Sequence, residues 1–126
     1  NVTELVESKG MTFKEAELDV LGMTHEQVGY FLLDRWNFPK EISDPILAHH
    51  APDATSSNPV LSAVVNLADY ITNRLKLTNA PWDTDVTLSP YAMQKFNLER
   101  ELDVERFIDG YKDIFWNQIE FVRFLN

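Results

Sequence analysis

Few residues in this chain are equipped for chemistry, and their positions are informative. It has three histidines, His25, His49 and His50, and no cysteine. His25 sits just ahead of the run Val28, Gly29, Leu32, while His49 and His50 lie one turn beyond Ile46. Asp69 follows Ala68, one turn from Val65, at the edge of another apolar stripe where an unpaired carboxylate is costly to bury. Neutral imidazole is a common metal ligand, so these four groups facing one interior make a site for a first-row divalent ion. Singly, each has a plainer role, as a hydrogen-bonded core histidine or as an acid that caps or pairs. The cluster carries the metal reading, not any one member. His25, His49, His50 and Asp69 are therefore expected to converge to within about 12 Å even with no ion bound.

The elements that must position them are helices. Thr12 with Glu15 forms a capping-box pattern and Gly22 suits a helix-terminating left-handed position, giving a helix over about 12–21. Thr24 with Gln27 forms a second box ahead of Val28, Leu32, Leu33 and Trp36, a helical stripe over about 25–37. Pro39 opens a third helix that runs to His49–His50, with a kink or restart expected near Ser43 because Pro45 removes a backbone donor. Residues 51–58 read as a surface loop. A long helix over about 59–77 carries Leu61, Val64, Val65, Ala68, Ile71 and Leu75. After a second loop, Ser89–Pro90 opens a short helix. The closing segment, about 100–125, is long for so small a globule and is expected to bend, break near Gly110, or pack on something else. With no convincing period-two alternation, the class is all-α, a helical bundle.

Composition narrows the field. At 126 residues the chain fits one domain or part of one. Acids outnumber Lys and Arg by 20 to 11, a net charge of −9, which disfavours nucleic acid and anionic membrane as partners. No apolar run approaches the roughly 20 residues that cross a bilayer, and NVTELVESKG lacks the basic and apolar regions of a signal peptide, so neither export nor anchoring is expected. The absence of cysteine excludes disulfides and thiol catalysis. Trp36, Phe38 and Trp82 read as core rather than a ligand platform, and Asp83 with Asp85 as a solvated turn lacking the glycine and distal Glu of a calcium loop. No dinucleotide, P-loop or nucleophile-elbow pattern occurs.

The run from Glu17 to Ile42, ELDVLGMTHEQVGYFLLDRWNFPKEI, resembles the HDOD domain, a bacterial signalling relative of the HD-superfamily phosphohydrolases. The likeness rests on Glu17 eight residues before His25, on Gly22, Gly29, Trp36 and Pro39, and then on the double histidine. It continues through Ala68–Asp69 and covers roughly 12–77. It implies an all-helical fold, a cytoplasmic setting and an output or interaction role in signal transduction, as in response regulators. Within the wider superfamily the positions matching His25, His49, His50 and Asp69 belong to the metal-binding set, which nominates these four as working or vestigial ligands. The His-Asp dyad that completes a phosphohydrolase site is absent, since no histidine here is followed by Asp. Nor does the cyclic-dinucleotide branch fit, because Ala51–Pro52 stand where it carries an acid and no glycine-rich loop follows.

The likeness corresponds to the family's second half, so the chain is expected to be one HDOD-like domain over 1–126 or the C-terminal half of one. Two functions stay open: a non-catalytic output module that binds a protein, and a phosphohydrolase whose dyad lies in a missing segment. No catalytic residue and no bound cofactor are expected, with a divalent metal admissible only if an upstream half supplies further ligands. The expected partner is another protein or an N-terminal half of the same one, with self-association through the closing helix as a further route. Val28, Leu32, Trp36, Ile46, Val64, Ala68, Ile71, Phe107 and Tyr111 are expected to be buried, and Trp36→Ala to cost about 3–5 kcal/mol.

Overall fold

The computed structural model describes residues 1–53, 56–76 and 86–124, with side chains described as far as 120. Among the described residues seven helices follow one another: α1 (Val2–Lys9), α2 (Phe13–Leu21), α3 (His25–Arg35), α4 (Lys40–Ala48), α5 (Pro59–Arg74), α6 (Pro90–Lys95) and α7 (Glu101–Phe124). Among the described residues there is no strand, and no helix is long and apolar enough to cross a membrane. Trp82, Asp83 and Asp85 lie outside the described residues.

Local chemistry sets most helix ends. The Thr12–Glu15 capping box starts α2, whose C-terminal Gly22 is left-handed at φ 73°. Gln27 accepts from the Thr24 backbone N–H at 3.0 Å at the start of α3. Ser89 accepts from the Ala92 N–H at 3.0 Å ahead of Pro90 and so caps α6. The sequence reading omitted α1, which Asn1 and Glu4 open with a reciprocal box.

Of the options the sequence left open, a restart in α4 and a break in α7 do not occur. The helix from Lys40 to Ala48 continues through Pro45 without a restart. Pro45 has no N–H for the Glu41 carbonyl, and the Asn58 side-chain amide reaches that carbonyl instead at 3.5 Å, so the acceptor orphaned by proline has a donor from the next helix's cap. Helix α7 likewise runs unbroken through Gly110, about 36 Å at 1.5 Å per residue.

The buried apolar cluster is Leu67, Ile71, Leu98, Val104 and Ile108, with Tyr70, Leu75, Leu88, Phe96, Phe107 and Phe115 packed around it. The core thus joins the C-terminal half of α5 to the residues flanking α6 and the first turns of α7. Of the residues expected inside, Ile71 is buried and Val28, Ile46 and Phe107 are half-buried. Leu32, Trp36, Val64, Ala68 and Tyr111 are exposed. Their periodicity is helical as read, but no described element of the chain covers that face.

A different set of residues joins α3 to α4. A Cβ on Gly29 would lie 2.9 Å from Ile46 Cγ2, so the two helices cross at a point where only glycine leaves room. That crossing brings the end of α4, with its two histidines, beside the start of α3.

Candidate functional site

His25 is the first residue of α3, directly after the cap Thr24. Glu17, buried on α2, clamps it twice. Its Oε2 accepts from the His25 backbone N–H at 3.0 Å, and its carboxylate accepts from the ring Nδ1 at 3.0 and 3.1 Å. The left-handed turn at Gly22 makes this return possible. At the far end of α4, buried His49 donates from Nδ1 to the Ile46 carbonyl. His50 Nε2 then lies 2.8 Å from His25 Nε2.

In the neutral rings, Nδ1–H of His25 donates to Glu17 and its Nε2 accepts from the Nε2–H of His50. His49 is held in the same sense by Ile46, leaving its Nε2 as the open nitrogen. An imidazole with one nitrogen fixed by a carboxylate or carbonyl and the other open is the arrangement that orients histidine toward a metal. One nitrogen from each of His25, His49 and His50 lies within 4.8 Å of the others.

Asp69, the fourth residue named from sequence, is half-buried. Burial raises its carboxyl above the ordinary range, and the charges of His49 and His25 act against that rise. It therefore shares the field of the histidines, while the groups of possible ligands within 4.8 Å of one another are His25 with His49 and His50, and Glu17 with His25 and Glu26.

Glu26 was not singled out in the sequence. Only 3% exposed, it receives Lys14 Nζ on Oε1 at 3.3 Å. Its Oε2 lies 3.7 Å from His25 Nδ1, its Oε1 lies 3.9 Å from His50 Nε2, and Oε2 is buried with no hydrogen-bond partner. Burial alone would raise its pKa. The Thr24 hydrogen bond, its own backbone N–H, the His25 charge and Lys14 together outweigh burial and bring it from 4.5 down to about 2. A depressed folded-state pKa stabilises the fold fully above 4.5, and that contribution is lost as pH falls through about 2. Acid titrations of stability should therefore show wild type losing more than Glu26→Gln across this window. Parallel curves would remove Glu26 from the account.

With this geometry in place, comparison with known families adds one finding. Residues 1–52 match the HDOD domain. That segment, 52 of the 126 residues, is what the chain has that is similar to the family. The HDOD match spans Glu17, His25, Glu26, His49 and His50, and Asp69 falls beyond it. It also corrects the extent read from sequence, since it lies in the N-terminal part of the chain rather than over 12–77. No curated protein and no solved structure gave a significant match.

Proposed function

We propose that this chain is a non-catalytic interaction module of the HDOD type in a cytoplasmic bacterial regulatory protein, and that it acts by binding protein along the open face of α3. The exposure of that face carries the reading. Trp36 is 64% exposed and Leu32 43% on that face, and Phe31, Phe38 and Ile42 are also exposed. Large apolar side chains left exposed together are characteristic of interaction sites. At 100° per residue His25, Leu32 and Trp36 fall within about 40° of each other around α3, so the apolar stripe leads to the histidine cluster. An occupant of the stripe would also cover the cluster. The occupant is a protein surface with apolar side chains of its own, supplied by a separate partner or by an upstream half of the same polypeptide. Tyr111, Ile114 and Trp116, exposed on α7, offer a second surface for self-association.

Trp36→Ala tests this directly. It should cost less than about 1 kcal/mol in a urea titration, the range of surface positions, while lowering the chain's binding of a hydrophobic dye. A loss of about 3–5 kcal/mol would make Trp36 a core residue and end the proposal.

A metal-dependent phosphohydrolase is the second reading, favoured by the three histidines whose nitrogens converge within 4.8 Å. The donor set suits a divalent first-row ion, and the orphaned Glu26 oxygen beside it is the kind of group that a cation satisfies. His25, His49 and His50 would hold the ion, with Asp69 at the margin. A metal in such a site polarises a phosphoryl oxygen and lowers the pKa of bound water. The chain itself lacks the His-Asp dyad, which is why binding is placed first. Phosphoester hydrolysis in the presence of manganese, abolished by His25→Ala, would reverse that order.

A further inference from the structure

Helix α7 contains a glycine that no described part of the chain explains. Gly110 lies mid-helix without a positive φ, and a Cβ placed on it would meet no atom within 4 Å, so neither backbone conformation nor an internal contact calls for glycine there. Inside a helix glycine is destabilising relative to alanine, and its remaining use is to let something approach the backbone closely. The helix around it is also poorly supported. From Asp109 to Glu120 none of the described residues is buried, and a free helix shorter than about 12–15 residues is marginal in water.

We propose that Gly110 is the crossing point of an antiparallel pair of α7 helices from two copies of this chain, an inference that rests on the self-association reading above and assigns it to one face of α7. At 100° per residue, Phe107, Gly110 and Ile114 lie within about 60° of each other, and Gly110 is about 120° around the helix from the buried Val104. Phe107 packs at the edge of the chain's own core, while Ile114 is 54% exposed. Trp116 lies about 160° from Ile114, on the opposite side of α7, so the two do not serve one interface.

The occupant is a second copy because this face complements itself. In an antiparallel pair centred on Gly110, a residue some places before it stands opposite one the same number of places after it in the other copy. Phe107 is three before and Ile114 four after, so each ring meets the other copy's isoleucine within about one residue, 1.5 Å, of register. Arg106 is four before and Asp113 three after. Both are exposed and lie on the same flank of Gly110, so each guanidinium meets the other copy's carboxylate, and two-fold symmetry makes the pair twice. Within one helix they are too far apart to pair, since neighbours on a helix surface are three or four residues apart. A parallel arrangement would set Arg106 against Arg106 and Asp113 against Asp113, so the charges select the antiparallel one. Exposed ion pairs contribute little energy, and here the apolar contact and the close approach at Gly110 hold the helices while the charges set direction and register.

Sedimentation velocity on the full chain over a micromolar concentration series reads the association, with far-UV circular dichroism as the check on folding. Wild type should pass from monomer to dimer as concentration rises. Arg106→Asp and Asp113→Arg should each weaken the dimer by about tenfold, because two attractive pairs become two repulsive ones. Mixed together, the two variants should associate at least as well as wild type, since both charge contacts across the pair are then attractive. Gly110→Gln should be more helical than wild type and yet less dimeric, a split that damage to the fold does not produce. A wild type that stays monomeric overturns the inference and leaves the α3 reading standing. A dimer indifferent to both charge variants overturns it as well, and loss of that dimer in Trp36→Ala or in Trp116→Ser would place the contact on α3 or on the far side of α7. If the charge variants do not fold, Gly110→Gln decides: weaker association supports the crossing, and unchanged association overturns it.

Discussion

Replacing Asn66 with alanine is expected to destabilise the chain by about 2–4 kcal/mol, from the desolvation penalty of buried groups left without partners. Asn66 is completely buried on α5 and bonds in both directions. Its Nδ2 donates to the Thr87 carbonyl at 3.1 Å, and its Oδ1 accepts from the Ser89 N–H at 2.9 Å. Ser89 is itself buried and caps α6, so its N–H has no access to water once Asn66 is gone. The Thr87 carbonyl belongs to an exposed residue and can recover a water, which makes the two bonds unequal. Asn66→Asp separates them. It keeps an acceptor for Ser89 but sets a second oxygen against the Thr87 carbonyl, and it should cost at least as much as alanine. Urea titrations with helicity as readout check both variants. A loss under about 1 kcal/mol for Asn66→Ala would mean that α6 holds its place without the bridge.

That bridge illustrates what sequence could and could not deliver. Caps are local, so Thr12 with Glu15, Gly22, and Ser89 with Pro90 were legible from spacing alone. The role of Asn66 was not legible, because its two partners lie 21 and 23 positions away. Pro45 misled for the same reason. Its cost to a helix is a local rule, whereas the Asn58 amide that serves the Glu41 carbonyl comes from 17 residues downstream. The helix α1 went unread because its apolar residues are few and none is buried.

Burial was the least legible feature. Periodicity shows which side of a helix is apolar, but it cannot show whether another element lies on that side. Val28, Leu32 and Trp36 make a regular stripe, yet in this chain only Val28 is half-buried while Leu32 and Trp36 face outward. The histidine cluster fared better, because three imidazoles are scarce enough that their placement at the two ends of neighbouring helices suggested a meeting. Glu26 escaped notice because an acid one residue into a helix has an ordinary explanation in capping and the helix dipole. Only the fold shows it buried beside Lys14 and two histidines.

The meeting of those histidines depends on one close approach, and Gly29→Val should disturb it. The backbone at Gly29 has no unusual φ, so conformational freedom is not the reason for glycine there. The reason is contact: a Cβ would stand 2.9 Å from Ile46 Cγ2, inside any normal separation, and that methyl sits on a branched Cβ that cannot swing away cheaply. Valine gains a few tenths of a kcal/mol in helix propensity over glycine, against about 1–3 kcal/mol for overpacking. The net expectation is a loss of about 1–3 kcal/mol in a urea titration. The consequence for the site follows from the next link. The Ile46 carbonyl holds His49 Nδ1, so pushing α4 away from α3 moves His49 and His50 relative to His25, and the 2.8 Å contact between His50 and His25 should lengthen. Ile46→Ala removes the offending methyl. Placed with Gly29→Val, it should cost less than the sum of the two single changes, because the space lost at one position is returned at the other. Simple additivity would show that the strain lies elsewhere and that the helix crossing does not set the distance between the histidines.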